Sequence, residues 1–432
     1  MQCRWIGYLI FLLGFLSVSC STDSTPEEEP PYFKFSENNG GLTLPDGFRA
    51  VVVTDSIGYA RHITVRENGD IYVALYDLHN GHGIAALRDV NDDGVADSTV
   101  YFGEYPGTGI DIKNDNLYFA GNKTLYRYSL INDKLIPESE PEMIVSGFLE
   151  QNEKKDKAIT FDKEGNVYVK IGAPANACQE EPRTIGAPGM DPCPQLEWHA
   201  GIWRFDANRL NQTLQEDGYR YATGIRNAVA LDWNGQENQL YVVQQGRDQL
   251  RVLWPDLFTI EENAELPAEE FIKVNDGDNF GWPYTYYDHL RGQKMLSPEY
   301  GGDGETPAPT GKYKDPFMAF PGHWSPNDLL FYTGNQFPSE YHHGAFIAFH
   351  GSWNRAPMPQ QGYKVVFVPF DGANPINGEY QTFADGFAGE AVLMSPVEAE
   401  HRPMGLAQGP DGSLYVVDSK HGKMWRIIYT GS

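Results

Sequence analysis

Short segments with one common hydrophobic pattern recur along the chain and predict β-strands. Each segment has a turn residue, an apolar residue, an aromatic residue and then a branched or small residue. The six segments are NGDIYVAL at Asn68, NDNLYFAG at Asn114, EGNVYVKIG at Glu164, ENQLYVVQ at Glu237, NDLLFYTG at Asn327 and DGSLYVVD at Asp411. A turn and hairpin that recur six times predict an all-β fold, a six-bladed β-propeller. Separate β-sandwiches are the disfavoured alternative, because no linker divides the repeats.

The spacing of these segments is irregular, which predicts long inter-strand insertions in the later blades. The largest predicted insertion runs from Leu253 to Lys314 and is rich in Gly, Pro and Tyr. Because insertions in repeat folds of this kind lie in loops on one face, we expect them to cap one face of the propeller.

Composition agrees with short strands and narrows the possible partners. Aromatic residues make up 13% of the 432 residues, and the chain has 45 Gly and 29 Pro, which suits pleated strands joined by turns. The formal net charge of −26 argues against nucleic acid, because nucleic-acid binding needs a basic surface. Lys and Arg residues at strand ends are therefore the more informative ones.

The N-terminus has the pattern of an export signal. Arg4 is followed by an apolar run from Ile6 to Val18 and by small residues before Cys20, a run shorter than the roughly 20 residues of a membrane span. LSVSC resembles a bacterial lipobox, with Ser17 where Leu is usual, and predicts a lipid on Cys20. Simple secretion with cleavage nearby is the alternative.

Three segments are predicted along the chain. They are a lipoprotein signal peptide at 1–19, an acidic tether rich in Pro and Ser at 20–43, and the propeller at 44–432. The composition of the tether favours a flexible chain. We therefore expect an exported bacterial lipoprotein anchored to a membrane, such as the outer membrane, on its periplasmic side or at the cell surface.

Two cysteines remain in the predicted mature domain, Cys178 and Cys193, since Cys3 leaves with the signal. An exported pair that closes a short loop predicts a disulfide. Metal ligation is the weaker interpretation, because no further Cys or His stands at ligand spacing.

The segment DVNDDGVAD has the spacing of a calcium-binding loop, with Gly94 at the sharp turn. The Glu expected at the twelfth position is absent, because Val100 stands there. A solvated Asn/Asp turn is the alternative. The predicted ligands of a structural Ca²⁺ ion are Asp89, Asn91, Asp93, Val95 and Asp97.

Arginines and amides cluster at the ends of several apolar runs. The clusters contain Arg226 with Asn227, Gln245 with Gly246 and Arg247, and Asn354 with Arg355, together with the separate Arg61 and Arg402. Guanidinium groups that converge on a propeller axis repel one another unless an anion balances them, because arginine cannot lose its proton. The clusters together therefore predict an anionic cofactor.

Seven segments carry a resemblance to a known family. They are AITFDKEGNVYVKIGAPANACQ, YATGIRNAVALDW, GDNFGWPY, HWSPNDLLFYTG, AFHGSWNRAP, QQGYKVVFVPF and HRPMGLAQGPDGSLYVVD. They resemble the pyrroloquinoline-quinone (PQQ)-dependent sugar dehydrogenases of the glucose/sorbosone dehydrogenase family, in particular the sorbosone and pyranose dehydrogenase branch. The resemblance extends from Leu44 to Tyr429.

The resemblance implies a six-bladed propeller with PQQ, a flat tricarboxylate quinone, at the axial mouth. It implies that Arg226 and Asn227 polarise the quinone carbonyls and that Gln245 contacts the quinone. The backbone carbonyls of Gly246 and Arg247 resemble those that hold a Ca²⁺ ion bound to the cofactor. The segments that reach the cofactor or the substrate mouth contain Asn354, Arg355 and Arg402, and matching segments of less certain role contain Arg61 and His323.

The implied activity is oxidation of an aldose, a pyranose or a sugar aldehyde by hydride transfer to PQQ. A cytochrome or a quinone is expected to accept the electrons, and a membrane anchor keeps the enzyme near such an acceptor. A base must take the hydroxyl proton, and cationic donors must stabilise charge on the quinone oxygens.

The chain departs from the family at the expected catalytic base. Where the family has the His of an H-x-x-[RK] pattern, this chain has Lys154, with Lys157 at the later basic position. A lysine can act as a base if its pKa is strongly lowered. The alternatives are that His323 is the base, that the register of the match slips locally, or that the propeller binds a carbohydrate or a protein without catalysis. A Ca²⁺-dependent lactonase is disfavoured, because the axial candidates are mainly Arg and amide residues.

Overall fold

Six antiparallel sheets follow one another along the chain and form the blades of a β-propeller, which confirms the predicted fold. The computed structural model describes residues 32–390 and 392–431. All of these residues from Phe33 onward belong to one compact unit. Helices within the described residues are short. None of them is long and apolar enough to span a membrane.

The strands of the first half of the chain are short. They are β1 (Phe48–Thr54), β2 (Ala60–Val65), β3 (Ile71–His79), β4 (His82–Arg88), β5 (Ser98–Phe102), β6 (Gly107–Lys113), β7 (Asn116–Gly121), β8 (Leu125–Ser129), β9 (Glu142–Ser146), β10 (Ile159–Phe161), β11 (Asn166–Ile171), β12 (Gly201–Asp206), β13 (Gln212–Thr213) and β14 (Tyr219–Thr223).

The second half contains the other strands of the described residues. The strands are β15 (Ala230–Asn234), β16 (Gln239–Gln244), β17 (Glu269–Val274), β18 (Asp278–Asn279), β19 (Thr285–Asp288), β20 (Gln293–Leu296), β21 (Met318–Phe320), β22 (Pro326–Phe331), β23 (Ala345–Phe349), β24 (Lys364–Val368), β25 (Phe370–Asp371), β26 (Asn374–Pro375), β27 (Gln381–Ala384), β28 (Pro403–Gln408), β29 (Leu414–Asp418) and β30 (Met424–Tyr429). Within the described residues, the helices are α1 (Leu214–Asp217), α2 (Leu250–Leu253) and α3 (Ile260–Glu265), with 3-10 turns at Glu37–Gly41, Pro194–Glu197, Pro298–Tyr300 and Ser339–Tyr341.

Four strands form the body of each blade. Blade 1 contains β2 to β5, blade 2 contains β6 to β9 and blade 3 contains β10, β11, β12 and β14. Blade 4 contains β15, β16, β17 and β21, and blade 5 contains β22, β23, β24 and β27. Blade 6 consists of β28, β29 and β30 with β1 at its outer edge, where Phe48 pairs with Tyr429. The N-terminal strand therefore completes the C-terminal blade.

Apolar clusters between neighbouring blades form the core. Tyr72 of blade 1 packs in one cluster with Phe119 of blade 2, and corresponding clusters join each later blade to the next. A sixth cluster joins Val417 of blade 6 to Val73 of blade 1. Burial of apolar surface between the last and the first blade stabilises the closed ring.

Two details differ from the sequence predictions. β17 lies inside the predicted insertion between Leu253 and Lys314 and pairs with β16, because its FIKV run is buried within blade 4.

Residues 33–43, which were assigned to the tether, lie on the propeller instead. The Ser36 backbone N–H donates to the Ala50 carbonyl at 2.9 Å, and Trp425 Nε1 donates to the Gly40 carbonyl at 3.2 Å. Leu42 is buried in the cluster between blades 5 and 6. These backbone bonds and this apolar contact fix the segment, so the compact unit starts before residue 44.

Strand direction determines which residues meet on one face. In an antiparallel pair, the start of the first strand lies beside the end of the second. Ala230 near the start of β15 is accordingly opposite Val243 near the end of β16. Segments that precede the innermost strands and segments that follow the second strands therefore share one edge of the ring, which we call the mouth edge.

Candidate functional site at the mouth edge

A cavity of about 290 Å³ lies at the mouth edge and is called the mouth cavity here. Its lining residues are Glu153, Lys154, Arg183, Arg226, Gln245, Gly246, Asp248, Glu269, His323, Ser325 and Trp353. Five residues that the sequence singled out thus come together, namely Lys154, Arg226, Gln245, Gly246 and His323. They come together from blades 3, 4 and 5 because Lys154, Arg226 and His323 precede innermost strands, whereas Gln245 and Gly246 follow the second strand β16.

Lys154 stands in the mouth cavity at the position expected for a catalytic base. Its backbone is left-handed, with φ 51°. Its Nζ donates to Glu153 Oε2 at 2.8 Å and to the Ala175 carbonyl at 3.3 Å. Burial, followed by the positive charge of Arg226, lowers the pKa of Lys154 to about 7, against the attraction of Glu153. A substantial fraction of this amine is therefore neutral near pH 7 and able to accept a proton.

Charges of alternating sign continue from Lys154 around the cavity. Arg183 holds Glu153 through both carboxylate oxygens, Nε to Oε1 at 3.1 Å and Nη2 to Oε2 at 3.0 Å. Asp248 follows, with its Oδ2 at 3.7 Å from Arg183 Nη2 and 2.7 Å from Arg226 Nη2. Burial raises the pKa of Glu153, but Arg183 and Lys154 outweigh it and lower that pKa to about 2. Glu153 is therefore ionised and a poor base.

Arg226 is fixed by several acceptors. Its Nη2 donates to Asn176 Oδ1 at 2.9 Å and its Nε donates to the Asn176 carbonyl at 3.2 Å. The neighbouring Asn227 donates from Nδ2 to Gln245 Oε1 at 2.9 Å, and Gln245 Nε2 donates to Asn327 Oδ1 at 2.7 Å. These contacts hold a guanidinium and two amides in defined orientations at the mouth edge.

His323 reaches the cavity from the segment before β22. Its Nε2 faces the carbonyls of Asn263 at 2.8 Å and Leu266 at 3.1 Å, so Nε2 carries the proton and Nδ1 the lone pair. Burial lowers the pKa of His323. His323 is therefore a neutral imidazole and a second candidate base.

Among the described residues, Arg61, Lys155 and Arg402 are mouth-edge cations with no carboxylate partner within 4.0 Å. Lys157 and Lys420 also have no carboxylate partner, but their Nζ groups donate to backbone carbonyls. Arg61 and Lys155 both lie over the ring of Tyr76, at 4.3 and 4.7 Å from its centroid. Arg402 donates to the carbonyls of His350 and Gly351. Burial and then the charge of Arg61 lower the pKa of Arg402, so these two cations repel one another.

This arrangement fits a polyanionic ligand. Partly buried cations held only by carbonyls and an aromatic ring retain charge that an anion can neutralise. Arg61, Lys155 and Arg402 would hold carboxylates of PQQ, while Arg226, Asn227 and Gln245 would face its quinone oxygens. The donor set therefore fits the cofactor that the sequence predicts.

Two of the predicted cofactor-binding arginines have other roles. Arg247 turns away from the mouth cavity and pairs with the fully buried Glu299. Arg355 is also buried and pairs with Glu265 at 2.6 Å, while its Nε donates to the Pro359 carbonyl. Asn354 is buried, and its Nδ2 has no hydrogen-bond partner within the described part of the chain. These arginines stabilise the mouth loops, because their charges are already balanced.

The predicted Ca²⁺ site at Gly246 and Arg247 does not fit a cation as arranged. The Gly246 carbonyl accepts a hydrogen bond from Arg226 Nη1 at 2.6 Å, so a positive charge already stands at this oxygen. The nearby Glu269 accepts the backbone N–H of Gly246. The chemistry proposed below therefore uses no Ca²⁺ at this position.

The predicted Ca²⁺ loop forms a self-capped turn. The backbone N–H groups of the turn donate to Asp89, Asn91, Asp93 and Asp97, and the N–H of Val95 donates to Asp93 at 2.9 Å. Lys34 pairs with the other side of Asp93. Among residues 32–390 and 392–431, no three His, Cys, Asp or Glu side chains are grouped as metal ligands. The competing interpretation of an Asn/Asp turn accounts for these contacts.

Cys178 and Cys193 are joined by a disulfide, which closes a loop that follows β11. This loop carries Arg183 to the mouth cavity. The predicted lipidation site Cys20 lies outside the described residues.

Several functional residues were missed from the sequence. Glu153, Arg183, Asp248, Glu269, Ser325 and Trp353 line the mouth cavity but were not singled out, and burial raises the pKa of Glu269 to about 8. Glu153 and Asp248 directly adjoin predicted site residues, and Trp353 is 49% exposed beside the predicted Asn354, so their positions gave a usable signal. No sequence signal marked Arg183, because only the disulfide loop brings it to the cavity.

A second cavity of about 210 Å³ lies among the innermost strands. It contains three carboxyl groups from three blades, Asp111, Asp232 and Asp328. Burial raises the pKa of Asp111 and Asp328 to about 6 and that of Asp232 to about 8. Asp232 accepts the backbone N–H of Phe331 at 2.8 Å, so it also links blades 4 and 5.

These raised pKa values predict a loss of stability with rising pH. The folded state binds protons more tightly than the unfolded chain, so the stabilisation is complete below about pH 4 and is lost as pH rises through 6 to 8. We expect the melting temperature to fall between pH 5.5 and 8.5, and the fall to be smaller for Asp232→Asn, because the amide does not ionise. Thermal melts of both proteins at both pH values test this, and equal falls would contradict it.

Comparison with known proteins identifies the family. The TrAA12-like family model matches residues 42–430. An uncharacterised protein of Borreliella burgdorferi is 30% identical over 209 residues, 48% of each chain. The PQQ-dependent pyranose dehydrogenase of Coprinopsis cinerea is 28% identical over 279 residues, 56% of this chain and 37% of that protein. The matched regions thus span less than half of these relatives' length.

Solved structures share the fold. The PQQ domain of pyranose dehydrogenase from Coprinopsis cinerea in its holo form superposes with a TM-score of 0.70 at 18% identity, covering 92% of this chain and 98% of that one. A Trichoderma reesei carbohydrate-active enzyme of family AA12 gives 0.72 at 17% identity, covering 93% and 100%. Because the family model spans nearly the whole propeller, the chain belongs to the TrAA12-like family.

Proposed function

We propose that the protein is a PQQ-dependent dehydrogenase that oxidises an aldose, a pyranose or a sugar aldehyde. The observation that carries the proposal is the group of three cations without carboxylate partners, Arg61, Lys155 and Arg402, on the same edge as Lys154 and Arg226. A triply acidic cofactor supplies the missing negative charge. The names of the Coprinopsis relative and of the PQQ-domain structure support the same assignment.

PQQ, when bound, supplies a two-electron acceptor for the hydride that leaves the sugar carbon. The residues of the chain carry out the remaining tasks. Lys154 accepts the sugar hydroxyl proton at Nζ, and breaking the O–H bond leaves the electron pair that forms the carbonyl of the product. Arg226 would face the quinone oxygens with the one Nη1 hydrogen that its contacts to Asn176, Gly246 and Asp248 leave free, and would stabilise negative charge there.

The surroundings hold the reactants in place. Gln245 and Asn227 orient each other, and Asn327 fixes Gln245, so both amides keep one orientation when a ligand enters. Trp353 lines the cavity and is 49% exposed, which leaves an apolar ring surface at the rim for a sugar ring. Fixed donors of this kind lose little entropy on binding.

The electrons are proposed to pass from the reduced cofactor to a cytochrome or a membrane quinone. The predicted lipid on Cys20 would keep the domain near such an acceptor. Neither part of this proposal is needed for the sugar-oxidising step.

The pKa of Lys154 predicts the pH dependence of the reaction. A base acts when it is deprotonated, so kcat/KM is expected to rise with pH and to level off above about 7. Steady-state rates of the PQQ-loaded protein between pH 5.5 and 9 test this. A rate that falls across this range would contradict the assignment of Lys154 as the base.

The function is tested by loading the purified protein with PQQ and following dye reduction with a panel of aldoses and pyranoses. Reduction that depends on both PQQ and a sugar supports the proposal. PQQ binding without turnover of any sugar in the panel, by wild type and by every variant below, would contradict it.

A non-catalytic binding propeller is the second candidate. The observation that favours it is the engagement of Lys154 Nζ by Glu153 and Ala175, which competes with a substrate proton. Lys154→His discriminates between the two functions. Activity gained from an inert parent favours the binding protein, whereas activity already present in the parent excludes it.

A further inference from the structure

The disulfide loop between Cys178 and Cys193 reaches the mouth cavity through one side chain, Arg183. Arg183 Nη2 and Lys154 Nζ bind the same atom, Glu153 Oε2, at 3.0 and 2.8 Å. The guanidinium also binds Glu153 Oε1. Glu153 is therefore clamped on one side by Arg183 and holds Lys154 on the other.

The rest of the loop fixes Arg183 in this position. The Arg183 backbone N–H donates to Gln179 Oε1 at 3.0 Å, and Gln179 Nε2 donates to the carbonyls of Thr184 and Ala187. The far end of the guanidinium, Nη1, donates to Gln249 Oε1 at 2.6 Å. The loop is thus bound internally and tied to the segment that follows β16.

We infer that Arg183 is a positioning residue for Lys154, and that the disulfide-closed loop exists in part to hold Arg183 against Glu153. The inference rests on the proposed function, in which Lys154 is the base. By taking both oxygens of Glu153, Arg183 limits how strongly that carboxylate can hold the proton on Nζ. Its own charge, at the same oxygen atom, further opposes a charged Lys154.

The charged groups around Lys154 determine whether a substitution favours or disfavours its protonated form. Glu153 and Asp248 favour the protonated amine, and Arg226 disfavours it. Lys170 Nζ lies on the other side, within 3.4 Å of the Lys154 carbonyl, and is paired with Asp156. His323 is neutral at the far wall.

In the absence of the Arg183 guanidinium, the Glu153 carboxylate would pair with Lys154 only and would favour its protonated form more strongly. Arg183→Gln is therefore expected to raise the pH at which Lys154 deprotonates by about one unit, and Glu153→Gln to lower it by a similar amount. Arg183→Lys keeps the charge and is expected to restore most of the wild-type value. Arg209→Gln, a half-exposed arginine paired with Asp217, is the matched control and is expected to change nothing.

The experiment uses the protein without cofactor, so it does not depend on turnover. Trace acetylation with acetic anhydride across pH 5.5–10, followed by peptide mass spectrometry, gives the deprotonation midpoint of Lys154. Opposite shifts in Arg183→Gln and Glu153→Gln support the inference. Equal midpoints in wild type and Arg183→Gln, with unchanged far-UV circular dichroism, would overturn it.

Kinetics of the loaded enzyme supply a second measurement. In Arg183→Gln the pH limb of kcat should move with the acetylation midpoint, and kcat at pH 7 should fall about five- to tenfold, with KM for the sugar nearly unchanged. If the midpoints shift but wild type oxidises no sugar at any pH, the positioning role stands and the proposed dehydrogenase function fails. If wild type turns over but the midpoints do not shift, the positioning role fails alone.

The contribution of the disulfide to the position of Arg183 is tested with the double variant Cys178→Ser/Cys193→Ser. The acetylation midpoint of Lys154 is measured at a temperature where this variant remains folded. The Lys154 midpoint is expected to move toward the Arg183→Gln value. A wild-type midpoint would show that the loop holds Arg183 without the disulfide and would overturn that part of the inference.

Discussion

Replacement of Lys154 by methionine is expected to lower kcat by about 100- to 10,000-fold, the usual contribution of a positioned base. Methionine has a similar length and fills the space of the lysine stem without an ionisable amine. Because Nζ contacts Glu153 and Ala175 and none of the three unpaired cations, PQQ affinity should change little. Dye-linked turnover and PQQ titration of the same preparation measure the two quantities.

The matched control is Lys134→Met, because Lys134 is an exposed lysine paired with Glu138 and neither lines the mouth cavity nor contacts any group assigned to the cofactor. It should retain full activity. His323→Gln tests whether the second candidate base, His323, takes the proton instead of Lys154. Should Lys154→Met stay active while His323→Gln is inert, the base is His323 and the role assigned to Lys154 is wrong.

Replacing both Arg61 and Arg402 by glutamine is expected to abolish cofactor binding at micromolar PQQ, because both are mouth-edge cations without a carboxylate partner. One charge-assisted hydrogen bond contributes about 1.5–3 kcal/mol, so Arg61→Gln or Arg402→Gln alone should weaken PQQ binding about 10- to 100-fold. The double variant should weaken it by up to the product of the two factors. Fluorescence or absorbance titration of the cofactor-free protein measures these affinities.

The thermal stability of the protein without cofactor is not expected to fall in the Arg61 and Arg402 variants, although their PQQ affinity falls. Arg61 and Arg402 are partly buried like charges, so removing one relieves repulsion in the protein without cofactor. Each single variant should therefore melt no lower than wild type without PQQ. Arg355→Gln is the informative comparison, because it breaks the pair with Glu265 and should lower the melting temperature instead. Unchanged PQQ affinity in the Arg61 and Arg402 variants would place the cofactor elsewhere.

The propeller could be predicted because the turn and hairpin pattern is local in sequence. β3, β7, β11, β16 and β29 each begin within or next to a recognised segment. The strand order within the fifth blade could not be predicted, since NDLLF and AFIAF are both buried apolar runs, and only strand pairing distinguishes the inner strand from its neighbour. The start of the compact unit was missed because polar residues near Ser36 and Asn39 bind backbone groups of β1, which composition does not reveal.

The site was predicted less completely than the fold. Residues next to inner strands, such as Arg226 and His323, come together because strand direction places them on one edge. Charge balance could not be read from the sequence, since the partners Glu299 and Glu265 lie 52 and 90 residues from Arg247 and Arg355. Arg247 and Arg355 therefore have carboxylate partners that the sequence did not reveal, whereas cofactor binding by Arg61 and Arg402 stays a prediction.

The most direct test is the absorbance spectrum of the PQQ-loaded protein before and after a pyranose is added without any other electron acceptor. The account predicts that PQQ binds in a 1:1 ratio and that the sugar converts its spectrum to that of the reduced form, with much slower conversion in Lys154→Met. A protein that binds no PQQ, or whose bound PQQ stays oxidised with every aldose and pyranose tried, would contradict it.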